Sequence, residues 1–123
     1  MASTEKRSEE VLVIAIPVAG GRLCPHFGHC EAFALVDVDT AGRQILGSRQ
    51  LAPPAHEPGV LPRWLHEQGV NLVIAGGMGR RAQDIFTAQG IEVLVGAAAE
   101  SPEDIVRGYL DGDLRPGENL CDH

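Results

Sequence analysis

The run VLVIAIP, Val11 to Pro17, is short, rich in β-branched residues and free of polar side chains. A strand of that pattern cannot turn one face to water, so it belongs in the middle of a sheet with helices packed on both sides. NLVIAGG (71–77) and IEVLVG (91–96) are further buried strands, and each is followed by a glycine-containing turn. AFALVDV (32–38) reads as another buried strand, while the mixed polarity of QILGSRQL (44–51) suits an edge. The turn DTAGR, with Gly42 able to take positive φ, joins these two into an antiparallel hairpin.

Between the strands lie three helical patterns. Val60, Leu61, Trp64 and Leu65 recur at helical spacing, with Pro62 tolerable in the first turn. RRAQDIFTAQG is a short helix that packs through Ile85 and Phe86 and closes at Gly90. Ser101, Pro102 and Asp104 supply an N-cap, a first-turn proline and a capping-box carboxylate for a helix running to about Leu110. The order β-β-β-α-β-α-β-α predicts a three-layer α/β domain: a mixed five-stranded sheet with its second strand antiparallel to the rest, right-handed crossovers and helices on both faces.

A chain of 123 residues with 44% hydrophobic content fills one core and not two. The domain is assigned to residues 11–114, preceded by a polar stretch, 1–10, expected to be disordered, and followed by a tail, 115–123, of turn-forming composition. A net charge of −7 argues against a nucleic-acid partner, which needs a basic face. No run approaches the roughly 18 apolar residues of a membrane span, and the charged start lacks an apolar signal region, so a cytoplasmic protein is expected. Three cysteines in a reducing compartment point to thiolate chemistry rather than structural disulfides.

RLCPHFGHCEAF (22–33) concentrates that chemistry, with Cys24, His26, His29 and Cys30 within seven positions. Thiolates suit zinc, copper(I) and iron-sulfur clusters, and imidazole suits several of these metals. The C-x5-C spacing matches neither a zinc ribbon nor a ferredoxin, so the motif marks a metal site without naming the metal. Cys24, His26 and Cys30 are the candidate ligands, and His29 is the outsider of so short a loop. If the strands other than the second run the same way, their carboxyl ends share one edge of the sheet. That edge gathers the Cys/His loop, His56, the GGMG turn (76–79) and GAAAE. An extended tail of about ten residues spans up to roughly 33 Å, enough to carry Cys121 and His123 back to the same edge or to a neighbouring subunit. His66 is expected on the wet side of its helix. GGMGRR opens a helix whose amides, with Arg80 and Arg81, suit an anion, but it lacks the P-loop and dinucleotide patterns.

VLVIAIPVAGG, HFG, FALVDVD, VNLVIAGGMGRRAQDIFTAQGIEVLVG and EDIVRGYLDGDL together resemble the NifX/NafY family of dinitrogenase iron-molybdenum cofactor biosynthesis proteins, over residues 11–114. The resemblance implies a ribonuclease H-like motif with strand order 3-2-1-4-5. It also implies a protein that binds or carries metal-sulfur clusters or their precursors and is not an enzyme, with His26 of HFG as a cluster contact. Cys24, Cys30 and the CDH ending depart from the plain family pattern and are similar to a cysteine-bearing branch that includes orange-protein-like cluster carriers and domains fused to iron-sulfur carrier ATPases.

The expected cargo is thus an iron-sulfur or molybdenum-containing cluster, with zinc as the alternative metal. Cys24, His26, Cys30, His56, Cys121 and His123 are the metal ligands, and His26, Gly76, Gly77, Met78 and Gly79 contact the cofactor. Met78 suits a soft wall of the site or a filler of the core equally well. Cluster-assembly or acceptor proteins are the expected partners, an iron-sulfur carrier ATPase among them, and a homodimer is compatible with this reading. Two other classes compete: a thiol/disulfide redox protein cycling Cys24 and Cys30, and a structural zinc module.

Overall fold

The computed structural model describes residues 11–24, 31–52, 60–97 and 100–112. The long central strand β1, Val11–Ala19, carries the fully apolar run. It pairs antiparallel with β3, Ala32–Asp39, from Val11↔Asp39 through Val18↔Ala32. On its other side it pairs parallel with β5, Leu72–Ile74, at Ile14↔Leu72 and Ala15↔Val73. Outside β3 lies β4, Gln44–Leu51, antiparallel to it, and outside β5 lies β6, Glu92–Leu94, parallel to it. The order across the sheet is β4-β3-β1-β5-β6. Asn71 fastens the start of the parallel half. Its side-chain oxygen accepts from the Val13 amide, its own amide donates to the Val13 carbonyl, and its carbonyl accepts from Glu92.

The alternation of side chains along β1 sorts the core into two layers. Ala15 lies with Phe33, Leu35 and Val73 under helices α1, Val60–Glu67, and α2, Arg80–Ala88, which contribute Leu61, Leu65 and Phe86. The edge of Phe33 meets Trp64 of α1, with ring centroids 5.9 Å apart, a favoured aromatic geometry. Ile14, Ile16 and Val18 lie on the opposite face with Ala34, Val36 and Ile74, under Ile105 and Val106 of α3, Pro102–Leu110. Helices therefore cover both faces, as a central strand without polar positions requires. His66 is exposed on α1. At the start of α3, the Ser101 hydroxyl accepts from the Asp104 amide at 3.2 Å. None of the described helices is long and apolar enough to cross a membrane.

The structure corrects the sequence reading in two places. Among the described residues the sheet has six strands, not five: Arg22–Leu23 form β2, which pairs back onto β1 through Ala19↔Arg22 and Val18↔Leu23. Gly20 (φ 65°) and Gly21 (φ 80°) make the two-residue reversal, whose consecutive positive φ angles match the twist of a tight hairpin. The second correction concerns the β3–β4 turn, where Arg43 (φ 55°), not Gly42, is left-handed. A Cβ at Gly42 would lie 2.9 Å from one Asp39 carboxylate oxygen, so a side chain there would push that carboxylate aside, while its other oxygen accepts from the Ala41 amide. A left-handed conformation costs a side-chain-bearing residue roughly 1–2 kcal/mol, and the greater chain entropy of glycine takes back part of that. Arg43→Gly is therefore expected to stabilise the domain by up to about 1 kcal/mol, read as a rise in the urea midpoint at constant m.

Candidate metal centre

The carboxyl ends of β1, β5 and β6 lie along one edge of the sheet, because the three strands are parallel. β1 outruns β5 there, and β2 takes the place beside Val18 and Ala19 that β5 does not reach. Proline at 17 suits that changeover, since it has no N–H with which to extend a ladder. Its carbonyl accepts instead from the amide of Cys24, at 2.8 Å. The next carbonyl, that of Val18, accepts from Glu31 at 2.8 Å, and the Glu31 carboxylate accepts from the Gly20 amide at 3.1 Å. Cys24 and Glu31, the described residues on either side of 25–30, are therefore both held by adjacent carbonyls of β1.

Cys24 is not an exposed loop thiol. It is 5% exposed and belongs to the core layer that holds Ala15, Phe33, Ala75 and Met78. The hairpin is the cause: β2 turns the chain back toward the end of β5, and the backbone bond to Pro17 draws Cys24 into the sheet. Replacing this cysteine consequently touches the core.

The turn after β5 forms the neighbouring part of the edge. Gly76 and Gly77 are buried, Met78 is fully buried in the same layer as Cys24, and Gly79 is exposed. The β5–β6 pairing continues past both strands, with Ala75 donating to Leu94, Gly96 to Gly76 and Ala97 to Ala75. The side-chain amide of Gln83 donates to the Met78 carbonyl at 2.8 Å, tying the turn to α2. Gly79 is the N-cap of α2, no side chain caps it, the first turn holds no acidic residue, and Arg80 and Arg81 are both exposed. This is the electropositive end of a helix with two cations added to it, an arrangement that favours negative charge. The start of α3 is the reverse, capped by Ser101 and carrying Glu103 and Asp104.

Of the residues picked out from sequence, the structure brings together Cys24, Gly76, Gly77, Met78 and Gly79 at or beneath this edge. His26, His29, Cys30, His56, Cys121 and His123 lie outside the described residues, as does the stretch 1–10. Among the described residues, no three His, Cys, Asp or Glu side chains come close enough to hold a metal ion. Glu31 and Gln83 were not sequence candidates, yet they fasten the two stems of the site. Their signal is positional, a polar residue at the exit of the Cys/His loop and another inside the first turn of α2. A cavity of about 510 Å³ lies elsewhere, between β3, β4 and the start of α3, and none of the candidate residues lines it.

Residues 10–112 match the profile of the family described as dinitrogenase iron-molybdenum cofactor. The chain belongs to that family. Protein MJ0580 of Methanocaldococcus jannaschii is 29% identical over 113 residues, which cover 89% of this chain and 94% of the relative. Among solved structures, PH0822 is similar with a TM-score of 0.78 and 28% identity, covering 85% of this chain and 94% of the other. The apo form of the orange protein from Desulfovibrio gigas superposes with a TM-score of 0.68 at 23% identity, covering 87% and 93%, and so shares the fold. The resemblance that rested on HFG, GGMG and the apolar strands thus holds for nearly the whole domain.

Proposed function

We propose that the carboxyl edge of β1, β5 and β6 binds a metal-sulfur cluster or cluster precursor, of iron-sulfur or iron-molybdenum type, and carries it for cofactor assembly or delivery. The observation that carries this reading is the anchoring of Cys24 and Glu31, which flank residues 25–30 in the chain, on the Pro17 and Val18 carbonyls. It holds the stems of the segment bearing His26 and Cys30 where β1 outruns β5, and the Gly76–Gly79 turn leaves β5 at the same edge. The family's name and the shared fold with the orange protein support the same reading. In it the sheet is a version of the ribonuclease H-like motif, the protein works in the cytoplasm, and no reaction is catalysed. Its partners are assembly or acceptor proteins, a carrier ATPase among them.

The residues divide the work by chemistry. Cys24 and Cys30 supply soft, charged sulfur, His26 contacts the cargo or ligates it, and His56, Cys121 and His123 complete the donor set when they reach the edge. Gly76 and Gly77 admit close backbone approach, and the start of α2 with Arg80 and Arg81 offsets the negative charge of a sulfide-rich cargo. Reversing both charges, Arg80→Glu with Arg81→Glu, is expected to weaken cargo retention roughly 10-fold at low ionic strength and less at high salt, since exposed charges are screened.

The test is anaerobic purification followed by elemental analysis and a visible absorption spectrum. Iron or molybdenum together with sulfide, in a coloured protein, supports the proposal. Zinc alone, in a protein transparent in the visible, overturns it in favour of a structural zinc module.

A further inference from the structure

β2 is a strand of two residues, Arg22–Leu23, yet with the residue that follows it plugs both layers of the core. Consecutive side chains of an extended segment point to opposite faces. Leu23, 2% exposed, lies in the layer under α3 with Val18, Ile105 and Val106, and the buried Cys24 lies in the layer under α1 and α2. The fastening is short for so much burial. β2 pairs with β1 at Val18↔Leu23 and Ala19↔Arg22, the Cys24 amide donates to the Pro17 carbonyl, and on the other flank the Leu23 amide donates to the Glu100 carbonyl at 2.9 Å. β1 does not depend on it, since β3 runs alongside from Val11 to Val18 and β5 flanks Ile14 and Ala15. Gly20 and Gly21, which join the two strands, are exposed, and a Cβ built on either would meet no described atom within 4 Å. Such a joint turns without disturbing a neighbour.

We propose that β2 is a latch: it swings out on Gly20 and Gly21 while the rest of the sheet stays folded, and the open form is the one that presents the Cys24 sulfur to a ligand. A thiol sealed in an apolar layer is inert, because the thiolate is the form that binds metal and burial opposes it. The closed hairpin thus conceals Cys24 in the metal-free protein. A short ladder, exposed glycines and a place at the end of the sheet are the marks of a segment that opens locally. The base of the hinge stays fastened, with the Gly20 amide donating to the Glu31 carboxylate and the Glu31 amide to the Val18 carbonyl, so the opening does not spread into β1. The burial of Leu23 opposes the movement and keeps the open form rare. A thiophilic cargo that binds Cys24 takes the open form, shifts the population toward it, and shows an affinity reduced by the fraction open. That consequence rests on the proposed carrier function; the opening itself does not.

The test labels the metal-free, reduced, full-length protein with iodoacetamide at fixed pH and follows Cys24 by peptide mass spectrometry across urea concentrations below the unfolding transition. Cys24 is expected to react roughly 100-fold more slowly than in the urea-unfolded chain, with a urea dependence well below the m of global unfolding, because the opening exposes little surface. Gly21→Ala puts a side chain at φ 80°, a conformation that the closed hairpin imposes and the open one releases. The cost of that left-handed position is expected to speed labelling about 10-fold at the same shallow slope. Labelling that follows the global m overturns the proposal, since Cys24 is then uncovered with the whole domain. A shallow slope that Gly21→Ala does not accelerate also overturns it, because the hinge then lies elsewhere, as does labelling as fast as in the unfolded chain, which leaves nothing for a latch to conceal. Because no metal is present, failure here is separate from failure of the carrier reading.

Discussion

Replacing Cys24 and Cys30 together by alanine is expected to lower metal or cluster affinity by roughly 100-fold or more, beyond the 10–100-fold typical of losing an outer-shell partner. The two thiolates flank His26, and on the carrier reading nothing else in the loop supplies soft anionic sulfur. His29→Ala is the matched control and is expected to leave retention unchanged. The measurement is metal per chain after anaerobic gel filtration. Because Cys24 is 5% exposed and packed in the core, its replacement also carries a stability cost of about 1 kcal/mol, and urea denaturation of each single variant separates loss of a ligand from loss of packing. Full retention in the double variant removes these thiols from the site.

The second large effect falls on the layer that supports the edge. Phe86→Ala is expected to destabilise the domain by about 3–5 kcal/mol, the usual range for emptying a fully buried aromatic site. Phe86 is fully buried in the layer that also holds Met78 and Cys24 and is the buried anchor of α2. A domain of this size has about 5–15 kcal/mol in total, so the variant approaches the unfolding threshold at ordinary temperature. Leu46→Ala, at a site 55% exposed, is expected to change stability by less than about 0.5 kcal/mol. Urea denaturation of both variants checks the pair, and a Phe86→Ala cost below about 1 kcal/mol contradicts the packing described.

The layers of the fold were legible because burial on both faces writes itself into sequence. VLVIAIP has no polar position, so its place between two helical layers followed directly, and Ser101-Pro102 marked the start of α3 from capping chemistry alone. The two-residue strand β2 was not legible by periodicity, since Arg22 and Leu23 are too few to show one. The adjacent glycines 20 and 21 are the available signal, since such a pair suits a tight hairpin, and that hairpin returns Cys24 to the sheet. At the β3–β4 turn, glycine marked a residue able to take positive φ, but Arg43 is the one that takes it, a choice set by how the whole turn closes. Glu31 and Gln83 were invisible for a related reason: polar residues are common at loop exits and on helices, and their hydrogen bonds to Gly20 and Met78 join groups that the fold brings close.

The central claim is the location of the cargo, and amide spectra recorded before and after anaerobic loading with iron and sulfide test it most directly. Shifts or paramagnetic broadening centred on Val18, Leu23, Cys24, Gly76 to Gly79 and Gly96, with the outer surface of α1 around His66 unaffected, are the result expected. Loading that leaves Leu23, Cys24 and Gly76 to Gly79 unperturbed while broadening another surface contradicts the assignment of the carboxyl edge.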